Sequence, residues 1–186
     1  MDNGFTYKMN IMDIKVSRGI YLTQITESDK PFLLKYINDP DIYNYTLKIP
    51  YPYLEKDADN WISFVEESRL KERVLKHWAI KNENEELIGG AGFHSKYGKL
   101  SHKDEIGYWL GKPFWNKGIM TDVVKKVCEI GFSELNLVRI EATVFSRNTA
   151  SKKVLYKSGF VLEGTLKKFY FKDDKLIDAD IFARLR

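Results

Sequence analysis

One stretch, residues 104–135, constrains this chain more than any other: DEIGYWLGKPFWNKGIMTDVVKKVCEIGFSEL. Aromatic and branched residues over 105–110 predict a strand. A loop with Gly111, Pro113 and Lys117 follows, and a helix begins near Gly118. Along that helix Val124, Val127, Cys128 and Leu135 fall on one apolar face. A strand that feeds a small-residue loop and then a helix leaves the first-turn amides without intrahelical acceptors. The helix dipole favours an anion beside them. The stretch therefore predicts a cofactor site that holds phosphate.

The rest of the chain supplies the scaffold. Residues 1–18 have mixed polarity and weak periodicity, which predicts a loose lead-in, and residues 19–186 read as one domain. Residues 19–26 alternate as a first strand. The run Thr26-Glu27-Ser28-Asp29-Lys30-Pro31 carries helix-start chemistry, with Phe32, Leu33, Tyr36 and Ile37 at helical spacing after it. Asn38-Asp39-Pro40 ends or redirects that helix. Residues 41–53 read as irregular and aromatic, with Tyr43, Tyr45, Tyr51 and Tyr53. Residues 55–74 form an amphipathic helix with Ala58, Trp61, Ile62 and Val65 on one face. Two strands follow over 75–81 and 86–94, joined by a turn at 82–85. Gly89, Gly90 and Gly92 in the second suggest a bulge or a close approach. A strand over 138–145, a helix capped by Asn148 and ended by Gly159, and a hairpin turning at Asp173-Asp174 complete the chain. The expected fold is α/β (α+β): a mixed central sheet of about six to seven strands flanked by about four helices.

Charge narrows the function classes. A net charge of +4 with no basic stripe argues against nucleic acid as a partner. The single cysteine, Cys128, allows no internal disulfide. No apolar run reaches membrane length and no signal peptide is visible, so the expectation is a cytoplasmic protein without a membrane partner. Either a monomer or a homodimer fits the sequence.

Four pieces stand out: NDPDIYNY followed by IPYPY, then EIGYWLGKPFWNKGIMT, VRIEATVFSRN, and NTASKKVLYKSGFVLEG. Together they resemble the GNAT superfamily of N-acetyltransferases, in its ribosomal-protein N-terminal acetyltransferase (RimJ/RimL-like) branch. The resemblance covers nearly all of residues 19–186. It implies a single N-acetyltransferase domain in which two splayed parallel strands hold acetyl-CoA as co-substrate, with no metal. The phosphate loop of that family matches Trp115-Asn116-Lys117-Gly118-Ile119-Met120. Met120 stands where a small residue is usual, which would narrow the space beside the pyrophosphate. By the resemblance, the amides of Asn116, Lys117, Gly118, Ile119, Met120 and Thr121 hold the pyrophosphate. The exposed backbone of the strand over 106–110, with Tyr108, Trp109 and Leu110, pairs with the pantetheine arm, as does Asn148. Arg147, Lys152 and Lys153 are candidates for the ribose phosphate.

The reaction this implies is direct attack of an amine on the acetyl thioester. Glu105 is the candidate base, at the start of the cofactor strand, with His94 ranked below it. A strand amide would stabilise the oxyanion. Relatives often carry a tyrosine seven residues after the asparagine, but that position is Leu155, and Tyr156 lies about 100° further round the helix. By the resemblance, Ser151, placed like the serine of the ribosomal-protein branch, is the candidate acid. Cys128 reads as core. The expected acceptor is a protein or peptide α-amine, with the aromatic segment 41–53 as one wall of its site. The alternatives are a small amine (a polyamine, an amino acid or an aminoglycoside) and a binding module for acyl-CoA that catalyses nothing.

Overall fold

The computed structural model describes residues 13–17, 19–95, 97 and 101–186. Most of the expected lead-in, residues 1–12 and 18, lies outside them. Within the same stretch, however, Ile14–Ser17 forms strand β1, which pairs with β2 (Ile20–Thr23). Its branched residues Ile14 and Val16 pack on the core, and that contact overrides the weak local pattern.

Two helices follow β2. α1 (Lys30–Tyr36) starts where its cap chemistry predicts. α2 (Pro40–Tyr45) occupies part of the stretch expected to be irregular. Asp39 caps it by accepting from the Asp41 amide at 2.7 Å, and Pro40 sits in its first turn. Pro40 thus begins a helix as well as ending the one before it. α3 (Glu55–Glu72) then leads to the antiparallel pair β3 (His77–Asn82) and β4 (Leu87–Phe93). β5 (Lys103–Leu110), α4 (Ile119–Ser133) and β6 (Arg139–Phe145) form the crossover unit. α5 (Thr149–Lys157) and the hairpin of β7 (Val161–Lys172) and β8 (Lys175–Leu185) close the chain.

The sheet order is β1-β2-β3-β4-β5-β6-β8-β7. Every neighbouring pair is antiparallel except β5 and β6. The described residues hold eight strands and five α-helices. The strand beyond the expected six to seven is β1, and the helix beyond the expected four is α2.

Both faces of the sheet are covered, so its central strands read as continuous apolar runs. α1, α2 and α3 pack on one face through Leu33, Ile42, Ala58, Ile62 and Val65. α4 and α5 pack on the other through Val123, Val124, Val127, Cys128 and Leu155, against Trp78, Ile88, Phe93 and Ile140. No helix among the described residues is long and apolar enough to cross a membrane.

Candidate active site

The site is a split in the sheet. β5 and β6 pair only at Lys103↔Arg139, Asp104↔Ile140 and Glu105↔Glu141. Beyond Glu105 they part. β5 stays on β4 as far as Leu110, and β6 stays on β8 as far as Phe145. A gap therefore opens between residues 106–110 and 142–145, with Glu105 at its vertex.

Strand alternation fixes which backbone groups line this gap. His94 N–H donates to the Glu105 carbonyl at 2.9 Å, and Gly111 N–H donates to the Ile88 carbonyl at 2.8 Å. These bonds bracket an antiparallel ladder with no register shift. Bonded and non-bonded pairs alternate along such a ladder. Gly107 and Trp109 are therefore bonded to β4, while Tyr108 and Leu110 turn their N–H and C=O groups toward the gap; the Ile106 N–H closes the last β5–β6 pair, which leaves its C=O facing the gap. Two assignments change as a result. The Trp109 backbone belongs to the sheet, and its indole lies over Gly90, where an added Cβ would sit 2.8 Å from Nε1. The Leu110 carbonyl already accepts from Trp115 Nε1 at 2.6 Å, which leaves its N–H. Ile106, on the same strand, joins Tyr108 on the open edge.

The loop at the wide end is shaped for an anion. Asn116 and Gly118 have φ of 61° and 80°, and Gly118 is the N-cap of α4. The Thr121 and Asp122 amides already donate to the Gly118 carbonyl at 3.0 and 3.2 Å. Ile119 and Met120, the first two residues of the helix, supply the first-turn amides that have no intrahelical acceptor. The Met120 side chain is buried in the core, so the expected crowding of the phosphate site does not occur. The Lys117 ammonium lies 5.7 Å from the Phe114 ring centre.

Glu105 and Ser151 lie on opposite faces of the sheet. Side chains alternate along β5, so Glu105 and Gly107 face α3 while Ile106, Tyr108 and Leu110 face α4. His94, directly opposite Glu105, lays its imidazole over Gly107, where an added Cβ would sit 2.5 Å from Nε2. His77, packed at 5.4 Å against Trp61 and 5.6 Å against Phe64, is pushed down to about 4 by burial, with the nearby His94 adding to it. Glu141, beside Glu105 on β6, accepts from Tyr97, from Arg139 Nε at 2.7 Å and from Lys103 Nζ at 3.1 Å. Burial raises its pKa, but these hydrogen bonds prevail and hold it at about 2.

On the other face, the Tyr108 hydroxyl lies 2.8 Å from Ser151 Oγ. Asn148 Oδ1 accepts from the Ser151 amide at 3.0 Å, so Asn148 caps the helix. Leu155 is fully buried, and Tyr156 is exposed against Phe182. Two of the candidate phosphate cations are engaged elsewhere. Arg147 donates to the Asn44 carbonyl at 2.8 Å, and Lys152 pairs with Asp180 at 2.9 Å.

α2 straddles the wide end of the split. Lys112, just past β5, reaches Asp41 at 2.5 Å. Arg147, just past β6, reaches Asn44. At the hairpin tip Tyr43 donates to Asp173 Oδ1 at 2.5 Å, and Lys172 donates to the carbonyls of Tyr43 and Thr46. Every one of these ties joins positions distant in sequence.

Residues 20–161 match the family described as the acetyltransferase (GNAT) domain. An uncharacterised N-acetyltransferase, p20 of Bacillus licheniformis, is 31% identical over 94% of this chain and 97% of its own length. A ribosomal-protein-serine acetyltransferase of Escherichia coli is 25% identical over 92% of this chain and 96% of its own. Among solved structures, a ribosomal α-N-protein acetyltransferase in complex with coenzyme A superposes with a TM-score of 0.83 at 21% identity. That match covers 93% of this chain and 97% of the other. The solved structure shares the fold, and the family match with its relatives shows that this protein belongs to the GNAT acetyltransferase family and is an acetyl-CoA-dependent N-acetyltransferase.

Proposed function

We propose that this protein transfers the acetyl group of acetyl-CoA to the α-amine of a protein or peptide N-terminus, with Glu105 as base and Ser151 as donor to the departing sulfur. The observation that carries this reading is the break in β5–β6 pairing after Glu105. The pantetheine arm lies in the gap and bonds to the Ile106 carbonyl and the turned-out backbone of Tyr108, as an added strand would. The pyrophosphate sits on the amides of residues 116–120, at the positive end of α4. The acetyl carbon then lies in the plane of the sheet, between a carboxylate on one face and a hydroxyl on the other.

The amine attacks from the α3 face. As the N–C bond forms, the Glu105 carboxylate takes a proton from nitrogen, directly or through one water. The C–S bond breaks, and its electron pair leaves on sulfur, toward the α5 face. The amine attacks as the neutral base; Glu141 beside Glu105 is ionised and already paired with Arg139 and Lys103. The acceptor is bounded by α2 and the aromatic residues after it. The ribosomal-protein-serine acetyltransferase among the relatives supports a protein α-amine, while an L-amino acid N-acetyltransferase of Escherichia coli, 27% identical over 79% of this chain, supports the small-amine alternative.

The deciding experiment measures coenzyme A release with short peptides of different N-terminal residues, polyamines, free amino acids and aminoglycosides, in the wild type and Glu105→Gln. Acetylation of a peptide α-amine that falls about 10²-fold or more in Glu105→Gln, with acetyl-CoA binding retained, supports the reading. Transfer to small amines alone replaces the acceptor. Undiminished turnover in Glu105→Gln removes that residue from the mechanism.

A further inference from the structure

We propose that Tyr108 is a positioning residue for the transfer step: its phenol holds the Ser151 hydroxyl so that the Ser151 proton faces the departing sulfur. This rests on the reading of the gap as the acetyl-CoA site. Tyr108 comes from β5 and Ser151 from α5, which follows β6, so their 2.8 Å contact spans the split on the α4 face. The Ser151 backbone is fixed independently by the Asn148 cap, which leaves the direction of the hydroxyl proton to be set.

Acidity sets that direction. A phenol is a much stronger acid than an aliphatic alcohol, so the proton shared between them belongs to Tyr108 and Ser151 Oγ accepts it. The other acceptor within reach of Tyr108 is the Ser151 carbonyl at 3.4 Å, too long to compete. Burial raises the Tyr108 pKa and keeps the phenol protonated. The nearby Cys128 thiol on α4 is pushed up to about 12 by burial against the opposing pull of Arg184 from β8, so it adds no charge. With one lone pair of Oγ occupied by Tyr108, the Ser151 proton points away from Tyr108 and into the gap. No helix tyrosine competes for the role, because Tyr156 is exposed on the far side of α5.

A serine hydroxyl is a weaker acid than a thiol, so Ser151 gives a hydrogen bond and keeps its proton. The N–C bond forms, the C–S bond breaks, and the electron pair stays on sulfur as thiolate. Glu105 holds the proton from nitrogen until water takes it. The thiolate takes its own proton from water as coenzyme A leaves. Tyr108 and Ser151 end the cycle unchanged.

The test is a titration of the coenzyme A thiol bound to the protein, read by thiolate absorbance with the ligand-free protein subtracted. Ser151→Ala is expected to raise the pKa of the bound thiol by about one unit relative to wild type. Tyr108→Phe is expected to raise it by at least half as much, and the double variant no further than Ser151→Ala alone. In turnover, Tyr108→Phe lowers kcat about tenfold without changing the KM for acetyl-CoA. A near-isosteric 3-fluorotyrosine at position 108, a stronger donor, moves the thiol the opposite way and serves if Tyr108→Phe folds poorly. An unshifted thiol in Tyr108→Phe, or shifts that add in the double variant, overturns the proposal. Wild-type protein that binds no coenzyme A overturns the cofactor reading beneath it.

Discussion

Lys172 Nζ donates to the Thr46 carbonyl at 2.6 Å, which ties the tip of the β7–β8 hairpin to the C-terminal end of α2. The same ammonium bonds the Tyr43 carbonyl and lies 3.4 Å from the Tyr43 ring centre. Burial lowers its pKa, so the lysine is held there against its own desolvation. Replacing it with methionine keeps the stem and strands two carbonyls. Lys172→Met is expected to cost about 1–3 kcal/mol in urea denaturation. It should also raise KM for the acceptor while acetyl-CoA affinity, measured calorimetrically, stays constant.

Gly118 has φ of 80°, and no described atom lies within 4 Å of an added Cβ. Alanine there meets backbone strain and no clash. Gly118→Ala should destabilise the fold by about 1–2 kcal/mol. It should weaken acetyl-CoA binding more than acceptor binding, because the strained residue carries the anion loop. Titration calorimetry with coenzyme A separates the two effects.

Gly107→Ala would place a methyl 2.5 Å from His94 Nε2. The imidazole is the far end of a side chain and can swing aside, so the melting temperature should change little. The ring would leave its place beside Glu105. A fall in kcat/KM of about tenfold in a protein of near wild-type stability would show that His94 shapes the reacting face.

Acid should unfold this protein in two windows. His77 titrates at about 4 in the fold against 6.5 ordinarily, because burial disfavours its charge. The unfolded chain binds the proton more readily, so this contribution is present above pH 6.5 and is lost as pH falls toward 4. Glu141 titrates at about 2 against 4.5, so its contribution is present above 4.5 and is lost as pH falls toward 2. Each is worth up to about 3 kcal/mol. Denaturant titrations at a series of pH values should find the upper window flattened in His77→Phe and the lower one in Glu141→Gln.

Much of the scaffold was legible in the sequence because periodicity reports which faces are buried. The valines and Cys128 of α4, the Asn148 cap and the hairpin at Asp173-Asp174 stand where local pattern places them. α2 was missed because its six residues carry one buried side chain, Ile42, too few for a period to register. Which residues of the strand over 106–110 face the gap is not legible in its own pattern. Alternation counted from the β4 ladder separates Ile106 and Tyr108, turned outward, from Trp109, bonded to β4.

The sequence by itself determined the local devices: the strand–loop–helix order around Gly118, the caps, the turns and the apolar faces. Each depends on residues a few positions apart, where propensity and backbone sterics act. Only the tertiary structure decided that β5 and β6 part after Glu105, that Tyr108 meets Ser151 across the gap, that Glu141 stands ionised beside Glu105, and that Lys112, Arg147 and Lys172 pin α2 over the opening. Those relationships join residues up to 129 positions apart. They are set by how the two faces of one sheet are covered, a property of the packed whole that no local window of sequence contains.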